Sequence, residues 1–289
     1  MKLCPDCVSG VILPGTPKGS MIEIGPFEAY LASPPTESRA HVADKHAVVL
    51  FTDVFGLALG NPKIIADAFA SELGLDVYVP DMFNGKPPLS NNDIMPYDHQ
   101  DPGSPVPWWK FLGFLYHMVQ VAPGMWWGPN SQTTVYARMR VFVETLKTEK
   151  KLDKVGAVGY CYGGSVIASL IPYHLLSSAV IAHPGDFDHK LVDQVDFPTS
   201  WVTCEEDFVF GPKIAEDVQA RFAARSMRAK AAGEPEPEYE FKRYMGTRHG
   251  FGCRPALEVP QVKEAFERAS DQTTAWFRKT LLEIERGRI

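Results

Sequence analysis

The chain has 289 residues, of which 45% are hydrophobic and 22% charged, and a formal net charge of −6. This composition excludes intrinsic disorder, collagen-like repeats and coiled-coil rods, and the mild acidity argues against a nucleic-acid binder, which would carry a basic stripe. No run of ~18 apolar residues is available to cross a membrane, and the first ten residues lack the apolar stretch of a secretory signal, so the five cysteines are expected in a reducing, cytoplasmic compartment.

The elements alternate along the chain. Phe27–Tyr30 is a candidate antiparallel edge strand. Val48–Thr52 is a short apolar run ending at Asp53 and Gly56, the pattern of a strand buried on both faces. Pro62–Leu73 has helical apolar spacing, with Pro62 in the first turn and Gly74 placed to end the helix. Strands follow at Asp76–Pro80, Val155–Tyr160, Ala179–Ala182, Thr199–Thr203 and Tyr239–Tyr244, and helices at Thr134–Leu146, Gly164–Leu170, Ile214–Met227 and Val262–Glu285. Repeated strand–helix–strand units imply a mostly parallel sheet with helices on both faces. The whole chain, 1–289, reads as one domain of this kind.

A segment at about 84–133 breaks the pattern. It holds Trp108, Trp109, Trp126 and Trp127 among many prolines and glycines, and its best helical stretch is Trp109–Val119. Nearly fifty residues exceed a plain connection, so the segment is expected to be a lid-like insertion over the carboxyl edge of the sheet; a surface excursion with aromatic packing is the alternative.

The sharpest local signal is Gly159-Tyr160-Cys161-Tyr162-Gly163-Gly164, set between a strand and a helix. A side chain lifted out of a sharp strand-to-helix turn needs neighbours two positions away that lack side chains. Here the lifted group is the Cys161 thiol, at a helix N-terminus whose dipole favours thiolate. The same turn aims the backbone N–H of Tyr162 at a developing oxyanion. Asp207 and His249 follow at strand ends in the order nucleophile, acid, base. Glu205 and Glu206 compete with Asp207 for the acid's role. His183 closes a strand on the same edge and is read as pocket-lining, while His174, His117 and His99 are read as structural or surface residues.

These residues, with Asp53-Val54-Phe55-Gly56, Pro80-Asp81-Met82-Phe83 and Arg248-His249-Gly250-Phe251, resemble the dienelactone hydrolase family of α/β-hydrolases. The resemblance implies an ester or lactone hydrolase with Cys161 as nucleophile, Asp207 as acid and His249 as base. It also implies an oxyanion hole from the backbone N–H groups of Val54 and Tyr162. Asp53 stands where the family usually has a glutamate that contacts the resting thiol; it is one methylene shorter. Where dienelactone-cleaving members hold the substrate carboxylate with two arginines, this chain offers Lys86 and Arg254, each one position displaced.

Neither a metal nor a cofactor is expected. Cys4 and Cys7 form a C-x-x-C, but no second metal-ligand pair follows, and a packed terminus is favoured. No G-x-G-x-x-G follows the first strand, against a dinucleotide enzyme. The expected partner is a small-molecule ester or lactone; a homodimer is left open. The rival reading is a binding or regulatory protein on a retained hydrolase fold.

Overall fold

The computed structural model describes residues 12–89, 103, 105 and 107–283. Cys4, Cys7 and His99 fall outside them, as does the side chain of His117. Eight strands form one sheet: β1 (Ser20–Ile24), β2 (Phe27–Ala32), β3 (His46–Phe51), β4 (Asp76–Pro80), β5 (Lys154–Tyr160), β6 (Ser178–Ala182), β7 (Thr199–Glu206) and β8 (Tyr239–Arg248). Their order across the sheet is β1-β2-β4-β3-β5-β6-β7-β8. β2 pairs antiparallel with β1 and β4, and every pairing from β4 to β8 is parallel.

Successive residues of a strand face opposite sides, and the core divides accordingly. On β3, Ala47, Val49 and Phe51 enter one buried cluster, while Val48 and Leu50 enter the other. The second cluster is closed by α1 (Asn61–Leu73) and a late helix, Pro260–Phe277. The first is closed by Gln132–Lys150, Tyr162–Leu170 and Pro212–Ala232. With the insertion helix Trp108–Trp127 counted in chain order, these are α2 (Trp108–Trp127), α3 (Gln132–Lys150), α4 (Tyr162–Leu170), α5 (Pro212–Ala232) and α6 (Pro260–Phe277). Because both faces are covered, the central strands read as continuous apolar runs.

Several boundaries differ from the sequence expectation. β2 is not the edge strand: the exposed β1 pairs outside it. α2 runs twenty residues, straight through Pro123, where a short helix ending at Val119 was expected. Pro123 reads in the sequence as a helix stop, which is why the expected helix fell short of Trp127. β7 and β8 extend to Glu206 and Arg248, which pair across an irregularity after Cys204. α5 reaches Ala232 rather than ending at Met227, and stops at left-handed Gly233. α6 ends at Phe277 rather than near Glu285, where the chain widens into a π turn at Arg278–Leu282.

The insertion is closed at its base. Asn130 Nδ2 donates to the carbonyls of Phe83 and Lys86, both at 2.9 Å. Arg138, on α3, donates to Met82 O at 2.6 Å, Asn130 Oδ1 at 2.9 Å and Pro129 O at 3.0 Å.

Candidate active site

Cys161 is the single residue between β5 and α4, with φ 52° and ψ −115°. A non-glycine residue rarely adopts this backbone, and the surroundings must hold it there. Its N–H donates to Ala182 O at 3.1 Å, and its carbonyl accepts from the N–H groups of Gly185 (2.8 Å) and Gly164 (2.9 Å). The flanking glycines are sterically required. A Cβ on Gly163 would stand 2.1 Å from Phe51 O, and one on Gly159 2.3 Å from Gly163 O. The thiol at the top of the turn is half-buried and free.

His249 follows β8 directly, and Asp207 follows β7. Nδ1 of His249 donates to Asp207 Oδ2 at 2.9 Å, and the ring also hydrogen-bonds Cys161. Asp207 Oδ1 accepts from the N–H groups of Val209 (2.8 Å) and Phe210 (2.9 Å), and the Cys204 thiol donates to Oδ2 at 3.4 Å. Burial alone would raise the Asp207 carboxyl, but the charge of His249 and these hydrogen bonds hold it down at about 2. For His249 burial acts to lower the value, and the charges of Cys161 and Asp207, with their hydrogen bonds, override it and raise it to about 10. The buried imidazole therefore carries its proton between the two partners.

A second imidazole lies against the first. The His183 ring is fully buried, 5.1 Å from that of His249 and edge-on to it. Its Nε2 accepts from the N–H of Gly252 at 3.2 Å. Burial, then the neighbouring His249 cation, push it down to about 3, so it stays neutral. On the open side, the exposed Phe208 ring lies 5.3 Å from His249.

The Val54 and Tyr162 N–H groups stand at the two turns that the sequence singled out, and neither donates to an acceptor among the described residues. Asp53 shapes the first turn: its Oδ1 accepts from Phe55 N–H at 3.1 Å, and its carbonyl accepts from Gly56 N–H at 3.2 Å. Asp53 does not hydrogen-bond Cys161, as its family counterpart does with the resting thiol. Its Oδ2 is taken by Arg254 Nε at 2.9 Å and the Cys253 thiol at 3.5 Å. The Arg254 guanidinium also lies over the Phe55 ring, 4.7 Å from its centre. Lys86 is exposed, and its carbonyl serves the base of the insertion.

Both rivals for the acid's role are engaged elsewhere. Glu205 Oε2 accepts from Gly246 N–H at 2.6 Å, and Glu206 pairs with Arg248 and accepts from Gly103 N–H at 3.1 Å. His174 is exposed and paired with Asp196. Two contributors escaped the sequence reading. Cys204 is buried in the core, yet its thiol touches the acid; its only signal in the sequence is its place three residues before Asp207 at a strand end. His183 was read as pocket-lining, but its position gave no hint that it packs on His249.

A model of the dienelactone hydrolase family matches residues 27–281. The chain belongs to that family. It is 28% identical over 279 residues to hydrolase tropI of Talaromyces stipitatus, covering 96% of each chain. It is 24% identical over 254 residues to the carboxymethylenebutenolidase homolog of Homo sapiens, covering 86% of each. Esterase 2 of Thermogutta terrifontis has the same fold, with TM-score 0.56 at 14% identity over 94% of this chain and 98% of that one. The α/β-hydrolase architecture expected from the motifs is thus the observed one, and the family makes the chain a dienelactone hydrolase-like hydrolase. No helix among the described residues is long and apolar enough to cross a membrane.

Proposed function

We propose that this hydrolase cleaves a carboxylic ester or lactone with Cys161 as nucleophile, His249 as proton carrier and Asp207 as the acid that orients it. The observation that carries the reading is the single imidazole hydrogen-bonded to both Asp207 and Cys161. Cys161 Sγ attacks the carbonyl carbon, forming an S–C bond, and the carbonyl pair moves onto oxygen. The N–H groups of Val54 and Tyr162 receive that oxyanion. Its collapse breaks the C–O bond, and the leaving oxygen takes the His249 proton. Neutral His249 then removes a proton from water, the hydroxide attacks the thioester, and the S–C bond breaks to release the carboxylic acid. Free thiols at Cys161, Cys204 and Cys253 suit a reducing, cytoplasmic setting.

The substrate class follows from what surrounds the thiol. Arg254 is committed to Asp53, which weakens the case for a small carboxylate such as dienelactone. Phe208 beside His249 offers an apolar wall, and Glu206 tethers the insertion at Gly103 next to the acid. A neutral, apolar or aromatic ester or enol lactone fits this mouth best, with the insertion as its lid.

The test is a panel of aryl esters and enol lactones. Cys161→Ala is expected to lose roughly 10³-fold or more in kcat/KM, and iodoacetamide to label Cys161 and stop turnover. An alanine variant as active as the wild type would remove Cys161 from the mechanism.

A further inference from the structure

α2 carries the least protected apolar surface of the described chain. Trp108, Trp109, Phe111, Leu112, Leu115 and Val119 all stand in solvent, with exposures from 45% at Leu115 to 74% at Trp108. Aromatic side chains offer ~150–250 Å² each, so Trp108, Trp109 and Phe111 at their exposures present roughly 270–450 Å², to which Leu112, Leu115 and Val119 add an aliphatic share. The largest apolar patch of an ordinary monomer is about 300–600 Å². A standard stable interface takes about 800 Å² from each partner.

The pattern within the patch is as informative as its size. Trp108, Leu112, Leu115 and Val119 follow one another in steps of four, three and four residues, the spacing of a helix–helix seam. The one charged residue of α2, Lys110, lies about 200° around the helix from Trp108 and off the seam.

We infer that α2 is the interface of a two-fold homodimer, pairing antiparallel with α2 of a second copy. Antiparallel pairing about a two-fold axis beside Gly113 sets Leu112 against Leu115 of the second copy and Trp108 against Val119 of the second copy. A two-fold interface must be self-complementary, and an uncharged stripe with this spacing meets that condition without like-charge repulsion. Charge decides against a lipid surface. Helices that lie on membranes carry Lys and Arg on their polar face, whereas α2 has one lysine in a chain of net charge −6. This inference is independent of the catalytic reading.

Sedimentation velocity at micromolar concentration tests it. The wild type is expected at twice the chain mass. Leu112→Glu/Leu115→Glu, which puts carboxylates on both sides of the axis, is expected at the chain mass with the circular-dichroism spectrum of the folded wild type and a melt that no longer depends on protein concentration. Met227→Glu, at an equally exposed apolar residue on α5, is expected to stay dimeric. A monomeric wild type overturns the inference whatever the variants do. So does a double variant that keeps the dimer mass, or a monomeric wild type that floats with phosphatidylcholine vesicles.

Discussion

Asp207 accepts from four donors: an imidazole, two backbone amides and a thiol. The amides of Val209 and Phe210 fix one oxygen, so the other is aimed at His249 before any substrate arrives. An asparagine there cannot balance an imidazolium and would turn an amide face toward donors. Asp207→Asn is expected to lower kcat by roughly 10²- to 10⁴-fold, in line with the loss of the acid in other triads. An NMR titration of the ring should show the His249 value falling from about 10. An unchanged titration would mean that Asp207 does not set it. At this scale the sequence was legible where sterics dictate residue type. Gly159 and Gly163 flank Cys161 because a side chain at either would strike backbone. It was not legible for the Asp53–Arg254 pair, whose partners lie 201 residues apart and meet only once β3 and the turn after β8 are neighbours in space.

Among the elements, those with contrasting faces or covered cores were readable, and the second half of α2 was not. α1 could be placed from its apolar spacing and its left-handed Gly74. In α2 the stretch to Val119 could be read as helical, but Pro123 reads as a helix stop, so the run on to Trp127 was hidden. The insertion's base was equally hidden, because it rests on side chains meeting backbone carbonyls. Asn130→Ala removes two such bonds and a partner of Arg138. Leaving these groups unsatisfied costs about 1–3 kcal/mol. The expected outcome is faster limited proteolysis between 84 and 131, with the sheet's amide exchange unchanged. Protection of the insertion equal to the wild type would show that the Asn130 bonds do not hold it.

For the whole molecule, two touching histidines give stability opposite slopes with pH. His183 has a folded value of about 3, below the ~6.5 of a free imidazole. Its contribution is therefore present above pH ~6.5 and is lost on acidification at up to ~1.4 kcal/mol per unit. His46, lowered by burial, acts in the same direction. Asp207, held at about 2, adds a further loss below its ordinary carboxylate range. His249, raised to about 10, works the other way: its contribution is complete below pH ~6.5 and is lost as pH rises through 10. Stability in urea should therefore peak near pH 6.5. His183→Gln, which keeps an acceptor for Gly252, should flatten the acid limb and leave the alkaline limb. An acid limb as steep as the wild type's would assign it to other groups.

The pinned base of the insertion has a bearing on how such a hydrolase diversifies. The chain leaves near Phe83 and returns near Asn130 at a fastened base, and Gly103 adds a second tether to Glu206, next to Asp207. If the proposed ester cleavage holds, a stretch held at its base and at Gly103 is where a change of length or sequence would redraw acyl selectivity while β5, β7 and β8 keep Cys161, Asp207 and His249 in place.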